Sequence, residues 1–428
     1  MKLFAQIFFI IILTFLLFNS CSNNIEEKKT VKFWAMGAEA EYVTKLVPEF
    51  EKQNPGIKIK VQQIPWTAAQ EKLITAFASN NTPDACQLGN TWIPQFALLN
   101  AIIPLEEFIH SSDKIKKENY FDGIWETNVI NNKVYGIPWY IDTRLMFYRT
   151  DVFKKAGFNN PPRNWEELYK LCVNIKKLSS NQEKYAIYLP TNEFAPFIMF
   201  GMEAGSNILK QNNTLGNFNG KEFKVAFSYL MKFYKNKLAP LGISQVTNVY
   251  QAFAEEYFSI YISGPWNIPE FRKRMTGDLN DKWMTAPMPG ISNDYPGISL
   301  AGGASLVIFK NSKYKKEVWK FFEFLSKKET QLEFYKLLNN LPAVKSAWKS
   351  SLLKNDPYMN AFYLQFTNVR PTPKIPEWEQ IAFSKVQQYA ELAARNVMTV
   401  NEALENLDKD VNRILEKRRW LIQNNQGF

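Results

Sequence analysis

Residues Gly136 to Arg149 read GIPWYIDTRLMFYR, and their reading decides how the rest of the chain is divided. Upstream, Val129, Ile130, Val134, Tyr135 and Ile137 flank Asn131-Asn132, the pattern of a short hairpin. Downstream, Leu145, Met146, Phe147 and Tyr148 are apolar on both faces, as a buried strand requires. Between these strands come Trp139, Tyr140, Asp142, Thr143 and Arg144. Such a set suits a polyhydroxylated ligand: ring faces meet its C–H surface, and Asp and Arg meet its hydroxyls. A buried ion pair among core aromatics would use the same residues, and the stretch alone leaves both readings open.

Around it lie 428 residues, too many for one ordinary core and suited to two lobes. With 46% hydrophobic and 22% charged residues, the composition is globular and excludes wholesale disorder. The net charge of +11 raises the question of nucleic acid or an anionic membrane. The lysines are dispersed among acids, however, as in Glu26-Glu27-Lys28-Lys29 and Lys315-Lys316-Glu317. The densest basic run, Lys417-Arg418-Arg419, is short, and no nucleic-acid partner is expected. A single histidine, His110, removes most His-based metal sites and makes any triad mechanism depend on that residue. No catalysis, metal or cofactor is expected. Cys86 and Cys172 read as small buried residues, with no spacing that supports a disulfide.

The first segment is an address. Lys2 precedes an apolar run from Ile7 to Leu13, then Thr14 and Phe15 to Phe18, closed by Asn19-Ser20-Cys21. This layout predicts a secretory leader over residues 1–20. Cys21 after a small residue resembles a bacterial lipobox and predicts lipidation there, although Phe18 and Asn19 depart from its usual pattern. Residues 21–30 would form a polar tether to the membrane, and the mature chain would stay exported in the cell envelope.

Further on, Val31–Trp34, a helix with Val43, Leu46, Val47 and Phe50, and Ile57–Val61 form a βαβ unit, which predicts a parallel sheet. Pro48 should kink that helix or delay its start. Thr67 is the expected cap of the next helix, and Asp84–Leu88 the third strand. In open α/β sheets ligands gather at the carboxyl ends of strands, so the loops there present Glu39, Trp66, Asn90 and Trp92 to one rim. In the second lobe Asn164, with Glu167 in capping-box position, opens a helix with Trp165 inside. A strand over Phe258–Ile262 ends in Gly264-Pro265-Trp266. Gly302-Gly303 permit close backbone approach before another strand.

Trp66, Trp92, Trp139 and Trp266 all fall within a few residues of the carboxyl end of an expected strand, whereas Trp165 and Trp319 sit at core spacing in helices. One such tryptophan means little. Four from both lobes point to a carbohydrate, whose flat C–H faces stack on indoles. At about 1 kcal/mol per stack, against about 8 kcal/mol for micromolar binding, hydrogen bonds in a closed cleft must supply most of the affinity. This favours closure of two lobes around the ligand.

Taken together and in order, VKFWAMG, FEKQNPGIKIKV, GIPWYIDTRLMFYRTDVFKKAG, NWEELYKL, ISGPWNI, APMPG, AGGASLVIFKNS, LPAVKSAW and VRPTPKIPEWEQI resemble the family 1 extracellular solute-binding proteins of ABC importers, the group that includes the maltose-binding proteins. The resemblance covers essentially all of the mature chain. It implies an α/β fold of two discontinuous lobes joined by a hinge, divided as 31–138 with 296–340 and 139–295 with 341–428. It implies a monomer that delivers a sugar, an oligosaccharide above all, to ABC permease transmembrane subunits. Matching motifs carry ligand contact to Trp139, Asp142, Trp266, Gly303 and Arg370, while Glu39, Trp66, Asn90 and Trp92 follow from loop position. Glu255 and Glu256 depart from the family pattern, which has a small residue or Gly before the strand. A secreted glycoside hydrolase would also need a sugar cleft and paired carboxylates, and Arg370 could instead meet a phosphorylated or other anionic solute. A surface adhesin would bind no small ligand saturably.

Overall fold

The computed structural model describes residues 28–179, 183–242, 246–292 and 294–424. The leader, Cys21 and most of the tether lie outside the described residues. In the strand Lys29–Met36 the alternation is plain, with Val31, Phe33 and Ala35 buried and Lys32 exposed. The following helix, Gly37–Gln53, turns Ala40, Val43, Val47 and Phe50 inward. It starts before Pro48 and continues through it, so the proline does not delay the helix. Pro48 lies on the exposed face, where water can serve the carbonyl that its missing N–H leaves unpaired.

Ile57–Ile64 then pairs parallel to Lys29–Met36 from Lys29↔Ile57 to Met36↔Ile64, as a βαβ unit requires. The next helix begins at Trp66 directly after Pro65, so Thr67 sits inside its first turn and does not cap it. A six-stranded sheet results, in the order Leu341–Pro342, Ile137–Asp142, Gly302–Ile308, Ala85–Gly89, Lys29–Met36, Ile57–Ile64. Gly302–Ile308 is antiparallel to both its neighbours. The strands ending at Ile64, Met36, Gly89 and Asp142 therefore finish at one edge, where Gly302–Ile308 starts.

The second lobe has its own four-stranded sheet, ordered Trp283–Ala286, Leu145–Arg149, Ile260–Ser263, Ile187–Tyr188. Trp165–Leu178, Lys221–Lys235 and the C-terminal helices Gln387–Ala394 and Val400–Ile414 bury their apolar stripes in one cluster with it. Asn164 Oδ1 accepts from the Glu167 N–H at 2.9 Å, while the Glu167 carboxylate accepts from the N–H of Arg163, one residue before the cap. Cys86 and Cys172 are free thiols buried in different clusters.

Ile137–Asp142 is a strand of the first sheet and Leu145–Arg149 a strand of the second. A lobe boundary between Pro138 and Trp139 would cut that strand, so the passage falls at Thr143-Arg144. The return runs through Ser299-Leu300, paired with Val369-Arg370, into Gly302, a few residues beyond position 296. Leu341-Pro342 still pairs with the first sheet. Thr143 Oγ1 donates to Ser299 Oγ (2.9 Å), and Ser299 Oγ donates to the Arg144 carbonyl (2.6 Å), so two crossing segments are tied together. Among the described residues no helix is long and apolar enough to cross a membrane.

Candidate functional site

The edge at which the parallel strands finish opens into a cleft with walls from both lobes. On the first wall, Trp66 stands at the start of its helix and meets Trp92 edge-on, with ring centroids 5.6 Å apart. Asn90 is buried, and its Nδ2 donates to the Ala301 carbonyl at 3.0 Å. That bond fixes the loop after Ala85–Gly89 against the crossing segment.

The floor is made by Tyr140, Asp142, Arg144, Gly302 and Gly303. Gly303 has φ +121, and a Cβ there would stand 2.2 Å from the Tyr140 carbonyl. Only glycine allows the two strands to approach this closely beside the cleft. Behind the floor, Gln87 Nε2 donates to Tyr140 Oη (2.9 Å), which donates to Glu39 Oε1 (3.0 Å). Asn340 Nδ2 reaches the same oxygen at 3.3 Å. Glu39 thus holds Tyr140 from behind.

The second wall carries Phe194, Thr372, Glu379 and Phe383. Phe383 sits on a π-helical turn, Ile381–Val386, and is 54% exposed, with its ring edge-on to Phe194 at 4.8 Å. Such widened turns recur at functional sites because they push one side chain out of helical register.

Charge in the cleft is unevenly distributed. Burial pushes the Asp142 carboxyl above its usual range and Glu193 adds to the shift, while the Arg144 guanidinium, with Nη1 at 3.0 Å from Asp142 Oδ1, partly restores the charged form. Burial likewise raises Glu379 above its usual range, and the Thr91 hydroxyl on the facing wall offsets part of that rise. Tyr140 is held well above its usual value by burial and by Glu39. The Arg144 guanidinium lies 4.8 Å over the ring of Trp266, which is half exposed. Carboxylates offer acceptors for hydroxyls, and exposed rings offer faces for C–H surface.

Of the residues expected at the site, Trp66, Asn90, Trp92, Asp142 and Gly303 line the cleft. Glu39 stands one hydrogen bond behind it, and Trp266 adjoins it through Arg144. Trp139 does not reach it. Its ring is 2% exposed, stacked on Phe334 at 4.7 Å and edge-on to Phe33 at 6.2 Å, within the first lobe's core. Neighbours in a strand point to opposite faces, so the side chain reaching the cleft is that of Tyr140. Arg370 also lies outside the cleft lining, with an exposed side chain; only its carbonyl contributes, accepting from the Ala301 N–H at 2.8 Å.

Phe194, Thr372, Glu379 and Phe383 were not among the expected contacts, and Tyr140 and Arg144 entered only as members of the polar and aromatic set at 139–144. Some signals were present. Period-two alternation puts Tyr140 with Asp142, and Phe194 follows the end of the Ile187–Tyr188 strand just as Trp92 follows its own. Phe383 is an aromatic off the stripe that Ile381, Ala382 and Val386 bury.

Two α/β lobes with a polar, aromatic-walled cleft at the strand ends define a class of proteins that hold a solute between their halves. Residues 37–332 match the bacterial extracellular solute-binding proteins, and the chain belongs to that family. The solved sugar-binding protein MalE of Xanthomonas citri is 42% identical, superposes with a TM-score of 0.89, and is matched over 92% of this chain and 99% of its own. A diacetylchitobiose binding protein of Streptomyces coelicolor is 24% identical over 82% of each chain. A maltooligosaccharide ABC transporter solute-binding lipoprotein of Streptococcus pneumoniae is 24% identical over 84% of this chain and 85% of its own.

Proposed function

We propose that the protein is the substrate-binding component of an ABC sugar importer, which captures an oligosaccharide in the cleft and delivers it to permease subunits in the membrane. The observation that carries this reading is the placing of aromatics on opposite walls, exposed Trp66 and half-buried Trp92 from one lobe and exposed Phe383 from the other, around Asp142, Arg144 and Glu379. Relatives that bind a chitobiose derivative and maltooligosaccharides support a sugar as the solute. A lipoprotein among them, together with the lipobox-like Cys21, supports an anchor at the envelope. The lobes we assign are 29–142 with 302–349, since Val344 and Trp348 still bond to the first lobe, and 145–300 with 350–424, acting as a monomer.

Ligand stabilises the closed form only by its differential affinity for it. Calorimetric titration of the protein with maltose-, galactose-, arabinose- and chitin-derived oligosaccharides tests the reading. Saturable micromolar binding of at least one, weakened about tenfold or more in Trp66→Ala, is expected. Release of new reducing ends during the titration would instead mark a hydrolase and refute a purely binding role.

A further inference from the structure

Lysines that are dispersed along the sequence are gathered by the fold at one end of the first lobe. The strands Lys29–Met36, Ile57–Ile64 and Ala85–Gly89 finish at the cleft, so their starts form the far edge of the sheet, and Gly302–Ile308, running the other way, ends there. The Gly37–Gln53 helix runs back to the same edge, where the Lys29 N–H donates to the Gly56 carbonyl at 3.0 Å. Lys28, Lys52, Lys310, Lys313 and Lys316 all stand exposed at this edge, and among the described residues none of them is in an ion pair. The acids beside them are engaged: Glu317 by Lys29 Nζ at 2.7 Å, Asp84 by Ser312 Oγ at 2.7 Å, and Glu51 by the Ile59 N–H at 2.9 Å. The charge left facing outward is positive.

We propose that this edge is a membrane-contact surface, laid against anionic lipid headgroups so that the anchored protein rests with its cleft turned outward. The inference rests on lipidation at Cys21 and adds an orientation to it. The described chain starts at this edge, and from Cys21 to Lys28 it can span at most about 25 Å. An anchor at Cys21 thus keeps the edge within reach of the headgroups. Once within a Debye length, about 8 Å at physiological salt, its lysines are attracted to an anionic surface. Eight residues of strand from Lys29 to Met36, at about 3.3 Å each, then set the cleft roughly 26 Å above the edge. Solute reaches the cleft from the aqueous side, and docking on a permease exchanges this contact for another.

The test uses the full lipidated protein on vesicles whose headgroups carry an acceptor dye. A donor fluorophore is placed at Asn81→Cys, exposed on the edge, or at Asn401→Cys, exposed in the second lobe. Cys86 and Cys172 are buried, so labelling goes to the new thiol. On an equal mixture of phosphatidylglycerol and phosphatidylcholine, energy transfer from the edge is expected to exceed that from the second lobe by about twofold or more. At about 1 M salt, where the Debye length is about 3 Å, it should fall to the level seen on phosphatidylcholine alone. Lys310→Glu, Lys313→Glu and Lys316→Glu together should do the same at low salt and leave sugar affinity unchanged. Equal transfer from the two positions overturns the inference. An excess at the edge that persists on phosphatidylcholine alone, or in the triple variant, assigns the posture to the tether and overturns the role of the lysines. Protein that stays off both kinds of vesicle refutes the anchor, and this inference with it, while leaving the sugar reading untouched.

Discussion

Trp139 and Tyr140 are neighbours in the chain with opposite duties. The indole fills the first lobe's core against Phe33 and Phe334, and the phenol borders the cleft with its oxygen held by Gln87 and Glu39. Trp139→Ala should therefore cost about 3–5 kcal/mol of stability, read by chemical denaturation. Trp66→Ala, at a position 37% exposed, should leave the denaturation midpoint nearly unchanged and show its effect in sugar affinity. The reverse pattern would exchange their roles. Glu379 gives a pH signature. Its folded pKa lies above 4.5, so the unfolded chain releases that proton first as pH rises. The wild type then loses stability from about pH 4.5 upward until its folded pKa is passed, a loss that Glu379→Gln cannot suffer. Thermal melts of both proteins from acid to neutral pH should show the variant gaining on the wild type; a constant difference would contradict the buried carboxyl.

At the scale of elements, much was legible. The hairpin around Asn131-Asn132 forms as its sequence predicts, with φ +49 and +62 at the two turn residues. The βαβ unit and the Asn164 cap also form. What misled was length: read as a loop, Trp139 to Arg144 seemed to offer every side chain at once, whereas a strand to Asp142 halves the offer. The turn at Glu255-Glu256, where the family pattern has a small residue or Gly, is left-handed at Glu256 (φ +58), whose carboxylate pairs with buried Arg149 at 3.1 Å. No such substitute exists at Gly303. Gly303→Ala should force apart the strands Ile137–Asp142 and Gly302–Ile308, because its methyl would collide with the Tyr140 carbonyl. Reduced stability and weaker sugar binding together are expected. Full affinity in a stably folded Gly303→Ala protein would show that this approach does not shape the site.

At the scale of the molecule, the two sheets share an apolar cluster that joins Phe33 and Trp139 of one lobe to Phe147 and Trp283 of the other. A ligand held between the lobes should stabilise both: at a hundred times its dissociation constant it adds about 2.7 kcal/mol, which a raised thermal midpoint would report. The accompanying change in tryptophan emission should persist in Trp139→Phe and shrink in Trp66→Phe. If the midpoint is unmoved at saturation, the sugar binds the unfolded chain as well and the cleft is not its site. The sequence by itself determined which residues are apolar at which period, where helices are capped, and which loops follow strand ends, because these are local properties carried by neighbours. It thereby placed Glu39, Trp66, Asn90 and Trp92 at one rim, while Asp142 came from the family resemblance. Only the tertiary structure decided that Tyr140 and not Trp139 lines the cleft, that Arg370 stands outside it, and that Phe383 and Glu379, far along the chain, complete the opposite wall. Pairing between distant strands and a π-turn set by packing select those faces, and neither can be read from a residue's near neighbours.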